Sequence, residues 1–280
     1  MNTPWIAAHL TGGLGNRLFE FASALGLSEK WKRPAVFFLP RCGPTNHGPF
    51  DTLFRMFPST PLIETLEEWK QLDEPQGHVF TYTPFPDIPT TEQSVVIGGW
   101  RQSPLYFPTE PIRPRLSELL TDARWTTLLQ RYNLWTDEQR TRTWFLHVRL
   151  GDYLTLPHHQ VNLQEYYIQC LQQMPPGSTV LFFSDEPHLV KDIFSQVIQA
   201  IGFQFQCCDE KDELEALCLM SQCWGGAITA NSTFSWWGAY FARDKSPSPT
   251  TYKAFYPSVW GQGLPAARDI VPSWGTKVSV

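Results

Sequence analysis

The sequence has no basic run longer than Lys32-Arg33, and its 22 basic residues are outnumbered by 27 acidic ones, giving a formal net charge of −5. A footprint on a nucleic-acid backbone needs the opposite balance, so that class of partner is excluded. No window of about 18 apolar residues occurs, and the first ten residues lack a basic start followed by a long apolar stretch; neither a transmembrane segment nor a secretory leader is expected, and the chain reads as cytoplasmic. The six cysteines show no CxxC spacing and no histidine cluster beside them, which argues against structural zinc and for reduced, buried thiols. Also missing are a GxGxxG fingerprint, a Walker lysine after a glycine loop, and a DxD pair. The usual nucleotide signatures and a metal-bridged diphosphate are therefore not suggested.

What is present is a chain of 280 residues, 42% apolar, with 24 prolines and 14% aromatic residues. That is enough to bury a core without staples, and the length suits two domains of about 140 residues each. Residues 5–10 read as a short buried strand, followed by a glycine turn and a helix over 17–31, then a second strand over 35–39. Residues 41–61 form a long loop. A further strand over 95–97 runs into Gly98-Gly99-Trp100, and helical stretches reach about residue 142. We place the domain boundary near 140, giving an N-terminal domain over 1–140. Beyond it, strands at 144–148, 179–183, 203–205 and 227–229 alternate with helices at 163–173, 187–200, 212–223 and 234–242, the pattern of a Rossmann-like unit over 141–250. The proline-punctuated tail, 251–280, shows little period and is expected to wrap the surface or cross back to the first domain.

Polar clusters fall in the loops where such sheets carry ligands. Gly12-Gly13-Leu14-Gly15-Asn16-Arg17 reads either as a tight turn with Asn16 capping the helix or as a loop whose amides approach a substrate. In His147-Val148-Arg149-Leu150-Gly151-Asp152-Tyr153, strand alternation sends His147 and Arg149 to one face as the strand ends. There Arg149 is either an anion clamp or the ion-pair partner of Asp152. Phe183-Ser184-Asp185 and Asn231-Ser232-Thr233-Phe234 each follow a strand and open a helix, so their side chains could be plain caps, while the free N–H groups of the same turns would suit a diphosphate. Without a secretory signal, Asn231-Ser232-Thr233 has no role as a glycosylation sequon.

Taken in order, the glycine run at 12–16, Gly99-Trp100-Arg101-Gln102-Ser103 with Tyr106-Phe107, His147-Val148-Arg149-Leu150-Gly151-Asp152-Tyr153, Phe183-Ser184-Asp185 and Asn231-Ser232-Thr233-Phe234-Ser235-Trp236-Trp237-Gly238-Ala239 resemble the motifs of the α-1,2-fucosyltransferases, glycosyltransferase family 11. The resemblance implies an α/β GT-B fold, with two Rossmann-like domains facing a cleft. It also implies GDP-β-L-fucose as donor, the 2-hydroxyl of a galactose-containing oligosaccharide as acceptor, inversion at the anomeric carbon, and no metal or other cofactor. Such chemistry belongs to cell-surface polysaccharide or O-antigen synthesis.

On that reading Arg149 and Asn16 act in catalysis. Donor contacts fall to His147, Asp152, Ser184, Asp185, Asn231, Ser232, Thr233 and Phe234, with His147 and Asp185 toward ribose or guanine; if GDP affinity does not depend on Asp185, the acidic stretch 210–215 is the alternative guanine reader. Gly13, Gly15, Trp100 and Gln102 lie on the acceptor side. One departure stands out: Leu150 occupies the place of a second arginine common in the family. The motifs name no catalytic base; Glu20, His47, Asp51 and Asp152 are the candidates. A transferase with another acceptor, such as protein, and a sugar-binding protein without turnover are the alternatives.

Overall fold

The computed structural model describes residues 3–38, 49, 51–64, 68–87, 93–190, 194, 197, 201–264 and 267–280. The chain divides into two compact units, Met1–Arg115 with Pro265–Pro272, and Leu116–Leu264 with Ser273–Val280. The boundary thus falls at 115 rather than near 140. Residues 116–142 contain no strand of their own, and their side chains are spent on the second unit. Arg124 pairs with Glu210 and Glu215 at 2.7 Å each, and the Cys218 thiol reaches the Leu116 carbonyl at 3.3 Å.

The first unit contains β1 (Ile6–Ala8), α1 (Leu14–Trp31), α2 (Thr52–Met56), β2 (Trp69–Leu72) and β3 (Ser94–Ile97). Its parallel sheet runs β1-β3-β2. The strand expected over 35–39 is reduced to isolated parallel bridges, Ala35 with Ile6 and Phe37 with Leu62, which extend the sheet on the far side of β1; Leu39 lies outside the described residues. β1 and β3 are buried on both faces, as central parallel strands are. β2 has only its end residues partly covered, which suits an edge. Helix α1 begins earlier than its sequence suggests: Gly12 takes φ +67°, and Gly13, extended at φ −75°, ψ 170°, is the residue before the first turn. Asn16 is therefore inside the helix and is not its cap.

The second unit contains α3 (Asp122–Arg131), α4 (Asp137–Arg142), β4 (Thr143–Val148), α5 (Gln164–Gln172), β5 (Thr179–Ser184), β6 (Gln204–Cys207), α6 (Glu213–Met220), β7 (Gly226–Ile228), α7 (Thr233–Lys245), β8 (Lys253–Pro257) and β9 (Thr276–Val278). The six parallel strands lie in the order β6-β5-β4-β7-β8-β9. Counted from β4 this is 3-2-1-4-5-6, the doubly wound order of dinucleotide-binding folds. One core packs Trp144, Leu146 and Val148 of β4 against Tyr166, Tyr167, Cys170 and Leu171 of α5. The tail is more ordered than its prolines suggest, since β8 and β9 complete this sheet. Asp269, by contrast, belongs to the first unit, where it accepts the Tyr82 N–H at 2.7 Å. The helix expected over 187–200 begins at 187; most of residues 191–200 lie outside the described residues.

Candidate functional site

In the second unit the strand order reverses between β4 and β7, so the carboxyl ends of these two strands form the topological switch point, where open α/β sheets take their ligands. β4 delivers His147 and Arg149 there, and β7 delivers Asn231 and the start of α7. His147 is buried, its Nδ1 has no hydrogen-bond partner, and its ring lies 6.0 Å from that of Phe234. Burial, and secondarily the Arg149 charge, pushes its pKa down to about 3, so it is neutral. Arg149 is held between two carboxylates, Asp152 at 2.6 Å and Asp185 at 3.0 Å, and its guanidinium lies 5.6 Å from the centre of the Tyr153 ring. Both readings of Arg149 keep their ground, because its pair with Asp152 is present and it still stands at the strand end.

Asp185, expected to read guanine, is engaged by two groups of its own unit. Its Oδ1 accepts the Leu150 N–H at 2.9 Å and its Oδ2 meets Arg149, holding the arginine from one side. Leu150 packs against the core cluster, which gives this position an apolar job where the family commonly has a second arginine. Residues 210–215 are likewise committed. Glu210 and Glu215 bind Arg124, Glu210 also binds Arg131 at 3.0 Å, and Asp212 caps α6 by accepting from Leu214 N at 2.7 Å. Among the described residues, no three His, Cys, Asp or Glu side chains converge on a point where a metal ion could sit.

Capping does not account for the polar residues before α7. Ser232 is the N-cap by position, yet its side chain makes no capping hydrogen bond. The buried Asn231 amide donates to the carbonyls of His159 (3.3 Å) and Trp260 (3.1 Å), tying the loops after β4 and β8 to that after β7. Tyr153 donates to the Asn231 carbonyl at 3.1 Å and closes the same knot. Helix α7 starts here with first-turn N–H groups that no N-cap side chain engages, the arrangement that favours an anion. Ser184 behaves as a turn residue, accepting from Glu186 N at 3.0 Å. The aromatic pair Trp236-Trp237 is fully buried and belongs to the core rather than to a sugar platform.

In the first unit the corresponding strand ends frame a depression of about 390 Å³, lined by His9, Thr11, Glu20, Gln71, Asp73, Gly98, Gly99 and Trp100. Trp100 is 36% exposed. Gln102 is buried and donates to Asn16 Oδ1 at 3.0 Å, locking the glycine loop to the segment after β3; Gly13 and Gly15 lie in that same loop and first turn. Of the base candidates, Glu20 lines the depression, where its carboxylate accepts from the Thr11 N–H (2.7 Å) and hydroxyl (2.8 Å) while burial holds its pKa well above the usual range. Asp51 sits at the exposed start of α2, Asp152 is on Arg149, and His47 lies outside the described residues. The sequence reading missed Gln71, Asp73 and Glu74, which follow or end the polar edge strand β2.

The low pKa of His147 carries a signed consequence. The unfolded chain takes up a proton on this imidazole below about 6.5 that the folded chain refuses until about 3, so stability from this group is present near neutrality and is lost as pH falls through that window. In melts between pH 7 and 4, the stability deficit of His147→Asn relative to the parent should shrink toward the acid end. A constant deficit would mean that the imidazole does not titrate as its burial implies.

Residues 119–252 match the family model for Glycosyl transferase family 11, so the motif resemblance is borne out over that segment. The O-antigen biosynthesis glycosyltransferase WbnK of Escherichia coli is 31% identical over 148 residues, 49% of this chain and 45% of the relative; the match thus spans a little under half of WbnK's length. Two solved structures share the fold. NodZ alpha-1,6-fucosyltransferase co-crystallised with GDP is 14% identical with a TM-score of 0.50, covering 85% of this chain and 92% of that one. Selenomethionine NodZ from Bradyrhizobium is 15% identical with a TM-score of 0.50, covering 88% and 94%. The parallel-sheet α/β architecture is therefore similar to that of these two structures.

Proposed function

We propose that the protein is a fucosyltransferase that moves L-fucose from GDP-β-L-fucose to the 2-hydroxyl of a galactoside, with inversion, in the assembly of a cell-surface polysaccharide or O-antigen. The observation that carries the reading is the second unit's switch point: Arg149, neutral His147 and the uncapped start of α7 at the carboxyl ends of β4 and β7, inside the segment that matches family 11. Sugar transfer builds positive charge on the sugar ring and negative charge on the departing diphosphate, so fixed donors at the diphosphate act where charge develops. Arg149 would hold the phosphates with its planar fork, Ser232, Thr233 and the first amides of α7 would hold them from the other strand, and Asp152 and Asp185 would keep the guanidinium in place until the donor binds. The O-antigen role of WbnK and the GDP bound to NodZ point to the same substrate class.

The reading requires no metal, because cationic and helix-terminal groups meet the diphosphate. GDP at about 100 times its Kd should stabilise the protein by roughly 2.7 kcal/mol, and EDTA should leave the shift in melting temperature unchanged. A shift that vanishes with EDTA would reverse the metal-free proposal. Incubation with GDP-fucose and a panel of galactosides, with the product linkage read by NMR, tests the reaction itself. Sugar binding without release of GDP would instead make the chain a carbohydrate-binding protein.

A further inference from the structure

We infer that binding of the donor is coupled to uptake of a proton at His159, which becomes a second positive charge beside Arg149; the inference rests on the fucosyltransferase reading and lies wholly within the second unit. The charge balance calls for it. One guanidinium, that of Arg149, meets the two carboxylates of Asp152 and Asp185 at 2.6 and 3.0 Å, so the local formal charge is negative before a donor arrives. A nucleoside-diphosphate sugar adds two further negative charges, of which the first amides of α7 offset about half of one. Leu150 packs against the core and contributes none.

His159 is held where that missing charge would act. Its ring stacks on Tyr153, with centroids 4.4 Å apart and planes 9° from parallel, and the Arg149 guanidinium lies 5.6 Å from the centre of the same tyrosine ring. The His159 carbonyl accepts from the Asn231 amide at 3.3 Å, two residues before α7 begins, and the Tyr153 hydroxyl donates to the Asn231 carbonyl. The other flank of the loop is fixed too, since the Gln262 N–H donates to the His158 carbonyl at 2.8 Å. Of the two ring nitrogens of His159, Nδ1 is shielded and has no partner, which leaves Nε2 to gain or lose a proton.

The groups bearing on this ring are His158, whose ring centroid is 4.3 Å away, with Asp152, Arg149 and Tyr153. Burial, then His158 and Arg149, lower the His159 pKa, and Asp152 opposes them, so the free protein holds the imidazole uncharged at neutral pH. Burial keeps the Tyr153 pKa up at about 12 and its hydroxyl protonated, and His147, at about 3, does not titrate near neutrality. An anion close by favours the charged imidazolium. The donor therefore raises the His159 pKa, a proton is drawn from solvent as the complex forms, and affinity rises as pH falls, by at most about tenfold per pH unit for one proton.

GDP-fucose is the probe, because neither of its phosphates ionises near neutrality, whereas the terminal phosphate of GDP does. Titration calorimetry between pH 8 and 6, repeated in buffers of different ionisation enthalpy, should show binding that tightens by at least about threefold toward pH 6, with net uptake of protons. His159→Phe keeps a flat ring for Tyr153 and leaves the backbone bond to Asn231 in place. It should bind much as the parent does at pH 8 and show neither the tightening nor the uptake, whereas a merely structural His159 would change affinity equally at every pH. Proton uptake that survives in His159→Phe, or parental binding without uptake, would overturn the inference. If that variant fails to fold, the NMR titration midpoint of the His159 ring in the parent decides: a midpoint raised by saturating GDP-fucose upholds the coupling, and one left in place overturns it. No binding of GDP-fucose at any pH would overturn the donor reading, and the coupling with it.

Discussion

Arg149→Ala is expected to yield a folded protein whose kcat for transfer is reduced about 10²- to 10³-fold, the loss of about 2.7 to 4 kcal/mol seen when one preorganised donor at a developing oxyanion is removed. The stability change should be much smaller. The two ion pairs of Arg149 involve side chains that are 32%, 38% and 22% exposed, and pairs with that much solvent contribute about 0.2 to 1 kcal/mol each. Removing the arginine also leaves Asp185 with its bond to the Leu150 N–H. The two magnitudes separate the roles: a purely structural Arg149 would cost melting temperature and spare the turnover of the folded fraction. Arg149→Lys should recover only part of the rate, because an ammonium keeps the charge without the planar fork that matches a diphosphate. Thermal midpoint and kcat measured on the same preparations decide it; near-parental kcat in the alanine variant would remove Arg149 from the mechanism.

The second unit was legible because its strands are central and parallel. Runs such as Trp144-Phe145-Leu146 are buried on both faces, so they stay apolar throughout and announce themselves between amphipathic helices. Strand alternation likewise sends His147 and Arg149 to one face. The edges were harder to read. β2 has two exposed residues, Lys70 and Gln71, and a four-residue edge strand gives too little period to stand out from a loop. With β2 unseen, Asp73 and Glu74 looked like two surface acids rather than residues at a strand's carboxyl end. Their one sequence signal was position, directly after Trp69-Lys70-Gln71-Leu72 and before Pro75-Gln76-Gly77. The partners of Asp185 were hidden for another reason: sequence shows which side chains share a loop, and not which neighbours they bind. Leu150 and Arg149 claim both oxygens. The domain boundary moved for a similar cause, since Arg124 and Arg131 find their carboxylates about 80 residues downstream, at distances no local pattern reveals.

The largest stability effect is expected from a single methyl group, in Gly226→Ala. Gly226 opens β7 and is paired on one side with Trp144 of β4 and on the other with Lys253 of β8, so neither neighbour lets the strand slide. A Cβ there would fall 2.5 to 2.6 Å from three carbons of the Trp144 ring. That ring cannot yield easily, being 2% exposed and stacked on Phe255 with centroids 5.9 Å apart and planes 18° from parallel. The backbone adds strain, since φ is +155° and L side chains rarely adopt it. Overpacking of this kind costs about 1 to 3 kcal/mol, and a forced dihedral on the order of another 1 to 3. A combined loss near 3 kcal/mol is a large part of the roughly 5 to 15 kcal/mol available to a domain, and should lower the thermal midpoint by roughly 6 to 12 °C. GDP affinity should fall with it, because the register of β7 sets where Asn231 and the start of α7 stand. The mechanism is checked by coupling: Gly226→Ala combined with Trp144→Leu should lose markedly less than the sum of the single variants, since the smaller side chain frees the space the methyl needs. Strict additivity would show that the indole is not what excludes a side chain at residue 226.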